Sequence, residues 1–126
     1  MDRERLQILI SSGPESPERA VLAFSVAAAA LSAGTDVLVY LVMNGARWAL
    51  KSQGNEVDVP GFAPVSALIS VVQAAGGTIQ VCPNCGGEKQ CDLAERQETC
   101  EMRPGISRAG LVPVATRMGK TPTLTF

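Results

Sequence analysis

Four cysteines and no histidine bound the chemistry open to this chain of 126 residues. Cys82, Cys85, Cys91 and Cys100 all fall between positions 82 and 100. A missing imidazole removes the usual general base and the commonest nitrogen ligand for a metal. The carboxylates gather in charged segments, so triad or paired-carboxylate hydrolysis finds little support. Thiols remain. A free thiol ionises near pH ~8.5, and neighbouring cations or a helix amino terminus lower that value. Lys89, Arg96, Arg103 and Arg108 lie near the cysteines, but so do Glu88, Asp92, Glu95, Glu98 and Glu101. Local charge therefore leaves the activation of Cys82 undecided.

Three uses of these thiols are open. In the first, Cys82 is a nucleophile and Cys85 its resolving partner, because a C-x-x-C spacing lets two sulfurs meet in a small ring and exchange a disulfide or release a sulfane sulfur. In the second, Cys82, Cys85, Cys91 and Cys100 form a non-catalytic four-thiolate site for zinc or an iron-sulfur cluster. The ligand number suits either group, but the chain lacks the second C-x-x-C knuckle of a zinc ribbon and the spacing of plant-type ferredoxins. In the third, the thiols share no task. Two phosphate-site motifs are decoys. Ser12-Gly13-Pro14 has neither the spaced glycines of a dinucleotide fingerprint nor the lysine of a P-loop, and Gly119-Lys120-Thr121 leads into a strand when a P-loop would lead out of one.

Those thiols are positioned by the elements around them. Thr78-Ile79-Gln80-Val81-Cys82 is a short apolar, β-branched run closed by Pro83-Asn84, which predicts a buried strand ending at Cys82 on a rim, with its sulfur uncovered. In a parallel sheet that rim is the carboxyl edge, where open α/β folds place their crevices. Leu6 to Ile10 predicts a first strand closed by Ser11-Ser12-Gly13-Pro14. A helix follows, with Ser16 as its cap, Pro17 at its first position, Glu18 in its first turn, a body from Ala20 to Ala33, and Gly34 as its stop. Val37 to Met43 is a continuous apolar run that suits a central strand covered on both faces. Asn44-Gly45 breaks it, and Ala46 to Lys51 predicts a short helix.

Residues 52–61 form a loop, and Pro64 to Ala75 a helix with Leu68, Ile69 and Val72 inward and Gly76-Gly77 at its end. Asp92 to Thr99 has modest helical character. Ile106 to Met118 mixes a short strand with a helix begun near Pro113, and Thr121 to Phe126 alternates as a half-buried edge strand does. Strands alternating with helices predict one α/β domain over residues 1–126, a three-layer sandwich with a mostly parallel sheet of about five strands. A chain of this length buries a core without disulfide staples. Eleven basic and twelve acidic side chains give a net charge of -1, which disfavours nucleic acid and anionic membranes as partners. The charged start and the absence of a long apolar stretch predict a cytoplasmic protein without a membrane span.

In order along the chain, Ile8-Leu9-Ile10-Ser11-Ser12, Val37 to Met43 with Asn44-Gly45-Ala46, Ala74-Ala75-Gly76-Gly77, Ile79 to Cys82 and Thr123-Leu124-Thr125-Phe126 resemble the DsrE/DsrF-like family. That resemblance implies a small, mostly parallel α/β domain, assembled as a homo-oligomer (dimer, trimer or hexamer), and a role in sulfur relay. It implies a cysteine after a strand that accepts sulfur as a persulfide and hands it on, matched by Cys82. Protein donors or acceptors of sulfur are the implied partners, and no cofactor is implied. The additional Cys85, Cys91 and Cys100 depart from a relay with a single cysteine.

Overall fold

The computed structural model describes residues 3–85 and 101–126. Five strands, β1 (Arg5–Ile10), β2 (Asp36–Leu41), β3 (Thr78–Val81), β4 (Ser107–Arg108) and β5 (Thr123–Thr125), form one sheet in the order β4-β3-β2-β1-β5. Every neighbouring pair is parallel, so all strands end on one rim. Between them lie helix α1 (Pro17–Ser32), a 3₁₀ helix (Met43–Ala49), α2 (Val65–Ala74) and α3 (Leu111–Met118). The expected α/β sandwich, with β2 at its centre and the last strand at an edge, is the architecture found. The helix expected over Asp92 to Thr99 lies outside the described residues.

Alternation along the strands sorts their side chains onto two faces. Ile8, Ile10, Val37, Val39, Leu41, Ile79 and Val81 pack with α1 and α2 in the main core. Alanine-rich α1 is suited to this layer because Ala20, Ala23 and Ala27 are fully buried and bring its backbone close to the sheet, while Phe24 fills the space between. The opposite face carries Leu9, Leu38, Tyr40 and Cys82, and Val114 of α3 packs against them. Among the described residues this eight-residue helix is the one that covers that face, and Leu9 and Leu38 are partly exposed. The expectation that β2 is covered on both faces is met fully on one side only.

Four local expectations are corrected. Ser16 makes no side-chain cap at the start of α1. The Glu15 carboxylate instead accepts the Gly13 N–H at 2.8 Å, the Ser16 N–H goes to the Gly13 carbonyl at 2.9 Å, and the Arg19 N–H that a cap would have taken reaches the Ser16 backbone carbonyl at 3.3 Å. Strand β2 ends at Leu41, two residues before the apolar run does. Met43 turns to φ 54°, a left-handed conformation rare for a residue with a side chain, and the helix expected from Ala46 begins here as a 3₁₀ turn. Leu68, expected inward with Ile69 and Val72, is only partly buried.

The break after β2 is shaped by contact between backbones. The Gly45 N–H reaches the Ser11 carbonyl at 3.2 Å, and a Cβ at Gly45 would stand 1.9 Å from the Ile10 carbonyl oxygen. Only glycine admits that approach of the loop after β2 to the end of β1. Trp48, fully buried, donates its indole N–H to the Ser12 carbonyl at 2.8 Å and fastens the same two loops. Gly45→Ala should therefore lower stability by about 3 kcal/mol, read as a fall in the urea midpoint; a loss below about 0.5 kcal/mol would show that the loops can part without cost.

Candidate functional site

The ladder between β2 and β3 runs from Leu38↔Thr78 to Leu41↔Val81 and closes with the Cys82 N–H on the Leu41 carbonyl at 2.9 Å. Cys82 is thus on the carboxyl rim, as the apolar run and its proline predict, but it is the first residue past β3, which ends at Val81 and not at Cys82. Its sulfur is not uncovered. Cys82 is 4% exposed and packs with Tyr40 and Val114, with Cys85 against them. The expected uncovered thiol is corrected on this point: the break after Val81 sets where the strand ends, while α3 and the following turn decide what covers its end.

Cys82-Pro83-Asn84-Cys85 folds into a turn closed by the Cys85 N–H on the Cys82 carbonyl at 3.2 Å. Proline at the second position supplies the fixed φ that such a turn requires. Cys85 packs against the cluster that holds Cys82 while remaining partly exposed itself. The structure therefore brings together the two cysteines of the C-x-x-C spacing, both as free thiols. Cys91 and Cys100, the remaining members of the four-thiolate alternative, lie outside the described residues. Among the described residues no group of three or more cysteine and acidic side chains is placed to hold a metal ion.

The two thiols differ in their electrostatics. Burial pushes the Cys82 thiol up, but hydrogen bonds to the ionised sulfur from the Cys85 thiol, the Asn84 N–H, the Tyr40 hydroxyl and the Cys85 N–H outweigh it and hold Cys82 below the ordinary thiol range. Cys85 moves the other way. Burial, the hydrogen bond it gives to Cys82 and the negative charge that Cys82 acquires all raise it, against one lowering contact from the Met43 backbone. One thiol is poised to ionise and its neighbour is poised to remain a donor, an arrangement that suits a nucleophile with a resolving partner.

Two residues of the site escaped the sequence reading. Tyr40 stands in an apolar run and is fully buried, yet its hydroxyl reaches the Ala109 carbonyl at 2.8 Å beside Cys82. Met43 places its Sδ 4.0 Å from Cys85 Sγ and is 64% exposed, which puts a soft, apolar side chain at the mouth of the thiol pair. Strand alternation places Tyr40 on one face of β2, but only the register of β2 against β3 shows that Cys82 shares that face. A cavity of about 410 Å³ lies on the opposite, amino-terminal rim, lined among others by Arg5, Asp36, Thr78 and Arg117, and touches neither thiol.

A family model described as the DsrE/DsrF-like family matches residues 4–114. Among solved structures, the chain is similar to the ychN protein from E. coli, with 16% identity, a TM-score of 0.73, and 99% of this chain and all of that one covered. It is also similar to a conserved protein of unknown function, BT1422, from Bacteroides thetaiotaomicron, with 14% identity, a TM-score of 0.55, and 98% and 95% of the two chains covered. At these identities the likeness shows the fold. No curated protein matches the chain by sequence at a significant level.

The opposite shifts of the two thiols give a test. Cys82, lowered in the fold, favours the native state above its unfolded pKa, and that contribution is lost as pH falls through its folded value. Cys85, raised in the fold, disfavours the native state once pH exceeds its unfolded value. Iodoacetamide alkylation followed residue by residue with pH should therefore show Cys82 reaching its half-maximal rate at lower pH than Cys85. The reverse order would mean that the turn does not direct its donors at Cys82.

Proposed function

The chain belongs to the DsrE/DsrF-like family, a family of sulfur-relay type, and on that premise we propose that it carries sulfane sulfur as a persulfide on Cys82. The observation that supports this reading most is the convergence of donors on the Cys82 sulfur at a strand end. The balance of the step follows from thiol chemistry. A Cys82 thiolate attacks the outer sulfur of a persulfide on a donor protein, a new S–S bond forms at Cys82, and the donor's S–S bond breaks with its electron pair leaving on the donor's cysteine as a thiolate. No net oxidation occurs. Handing the sulfur to an acceptor cysteine repeats the step in the other direction.

Cys85 supplies a second exit. Its thiolate attacks the inner sulfur of the Cys82 persulfide, forms the Cys82–Cys85 disulfide and expels hydrosulfide. A dithiol reductant must then reset the pair with two electrons. Because Cys82 is buried, loading requires the site to open, and the partly exposed Cys85 with the exposed Met43 forms the surface a partner meets. The partners in this reading are protein sulfur donors and acceptors, met in the cytoplasm. Exposed apolar side chains on α3, Leu111, Val112 and Met118, support assembly of several copies. No helix among the described residues is long and apolar enough to cross a membrane. The alternative, a four-thiolate zinc or iron-sulfur module, draws no support from the family match.

Intact mass after exposure to a persulfide donor should rise by about 32 Da and return to its starting value with reductant. Cys82→Ser should abolish the gain. Cys85→Ser should keep the gain, lengthen its lifetime and stop hydrosulfide release; no gain in the parent chain, or an equal gain in Cys82→Ser, would reject the carrier role.

A further inference from the structure

Tyr40 is the chain's only tyrosine, and nothing in its strand requires a hydroxyl. Its neighbours in β2 are aliphatic, and a fully buried phenol that served packing alone would leave a polar atom to be satisfied at a cost. The hydroxyl is satisfied at a distance. Ala109 follows β4, whereas Tyr40 lies on β2, and β3 runs between them. Strands in a sheet stand about 4.8 Å apart, so the phenol ring must lie across β3 for its hydroxyl to meet the Ala109 carbonyl at 2.8 Å. The Ala109 N–H bonds the Val81 carbonyl at 3.1 Å, which sets Ala109 alongside Cys82. Tyr40 pairs in register with Gln80, two residues before Cys82 on the same face of β3. The hydroxyl is therefore delivered beside the Cys82 sulfur, with Tyr40, Cys82 and Val114 forming one buried cluster.

A phenol has one proton to donate, and here it has two acceptors. We propose that the Tyr40 hydroxyl serves both in turn: it donates to the Ala109 carbonyl while Cys82 is a neutral thiol and turns to the sulfur when Cys82 ionises, thereby setting the fraction of reactive thiolate. Burial, together with the charge that the two sulfurs can carry, raises Tyr40 far above the usual phenol range, so it keeps its proton and acts as a donor and not as a base. The proton lost by Cys82 leaves for solvent. When sulfur is loaded, the same hydroxyl faces the inner sulfur of the persulfide, which is neutral, and returns to Ala109. The inference rests on Cys82 being the nucleophile of the proposed relay, and it adds a positioning residue that the C-x-x-C pair does not contain.

Other charged or titratable groups on the surrounding elements leave the hydroxyl as the designated partner. Arg108 pairs in register with Val81 and so belongs to the opposite face of the sheet. Arg117 of α3 lines the cavity at the far rim, and Arg47 of the 3₁₀ helix acts on Glu15. Among the described residues, Cys85 is the other titratable neighbour of Cys82, and it works from the turn.

The test follows Cys82 alkylation by iodoacetamide against pH, located by fragment-ion mass spectrometry so that the other cysteines stay in place. Tyr40→Phe keeps the ring and removes the donor; its midpoint at Cys82 should rise by about one pH unit, and its alkylation rate at low pH should fall by about tenfold, while the rate at the high-pH plateau matches the parent chain. A single tyrosine permits a second variant that leaves packing intact, uniform replacement by 3-fluorotyrosine, whose more acidic hydroxyl donates more strongly and should move the midpoint down. An unchanged midpoint in both proteins, or a rate lowered equally at all pH values in Tyr40→Phe, would overturn the assignment. These readings do not depend on sulfur transfer: a chain that takes up no sulfur but shows the two opposite shifts would keep Tyr40 as the partner of Cys82 while rejecting the carrier role.

Discussion

The hydrogen bond from the Cys82 N–H to the Leu41 carbonyl is the last rung between β2 and β3, and the thiol site depends on it. That rung fixes the height of Cys82 against β2, so that Tyr40, paired with Gln80 two residues before Cys82, shares its face. A slip of one residue would send the sulfur into the main core between the sheet and its two long helices. Resistance to such a slip comes from the other face, where Ile79 and Val81 are buried with Val39 and Leu41 under α1 and α2. Hydrophobic packing on one side of the sheet thus sets the aim of polar chemistry on the other.

The uneven cover of the sheet has chemical consequences. Two helices close one face and leave a dry core, whereas the other receives the short α3, whose Val114 meets Cys82. A thiol in that second layer is desolvated enough for hydrogen bonds to it to be strong. Desolvation alone would keep the sulfur protonated. Donors from the turn and from Tyr40 reverse that tendency, and the balance between the two settles which of the paired thiols ionises first.

Backbone geometry at the rim follows from the same crowding. Ends of β1 and β2 approach closely because Gly45 has no side chain to collide with Ile10, and Trp48 ties the resulting loop to Ser12. Met43, two residues past the end of β2, takes up a left-handed conformation that costs of order 1 kcal/mol and presents its sulfur to Cys85. Strain of this kind persists only where neighbours hold it, and here the 3₁₀ helix and the β1 loop do so.

Much of the architecture was legible because it depends on local pattern. Apolar runs bounded by Gly, Pro and Asn marked β1, β2 and β3, small residues with Pro17 and Gly34 marked α1, and Pro83 marked the strand end that carries Cys82. The C-x-x-C spacing identified the thiols that a tight turn brings together. Boundaries were less legible, since Val42 and Met43 continue the apolar pattern of β2 while the sheet has already ended. What the sequence by itself determined was the set of elements and the placement of a thiol on the carboxyl rim, because hydrophobic periodicity and turn chemistry act over a few residues. Only the tertiary structure decided that Cys82 is covered, that Cys85 is the outer thiol and that Tyr40 reaches across β3 to the Ala109 carbonyl beside Cys82, because those relations depend on strand register and on α3, which join residues far apart in the chain.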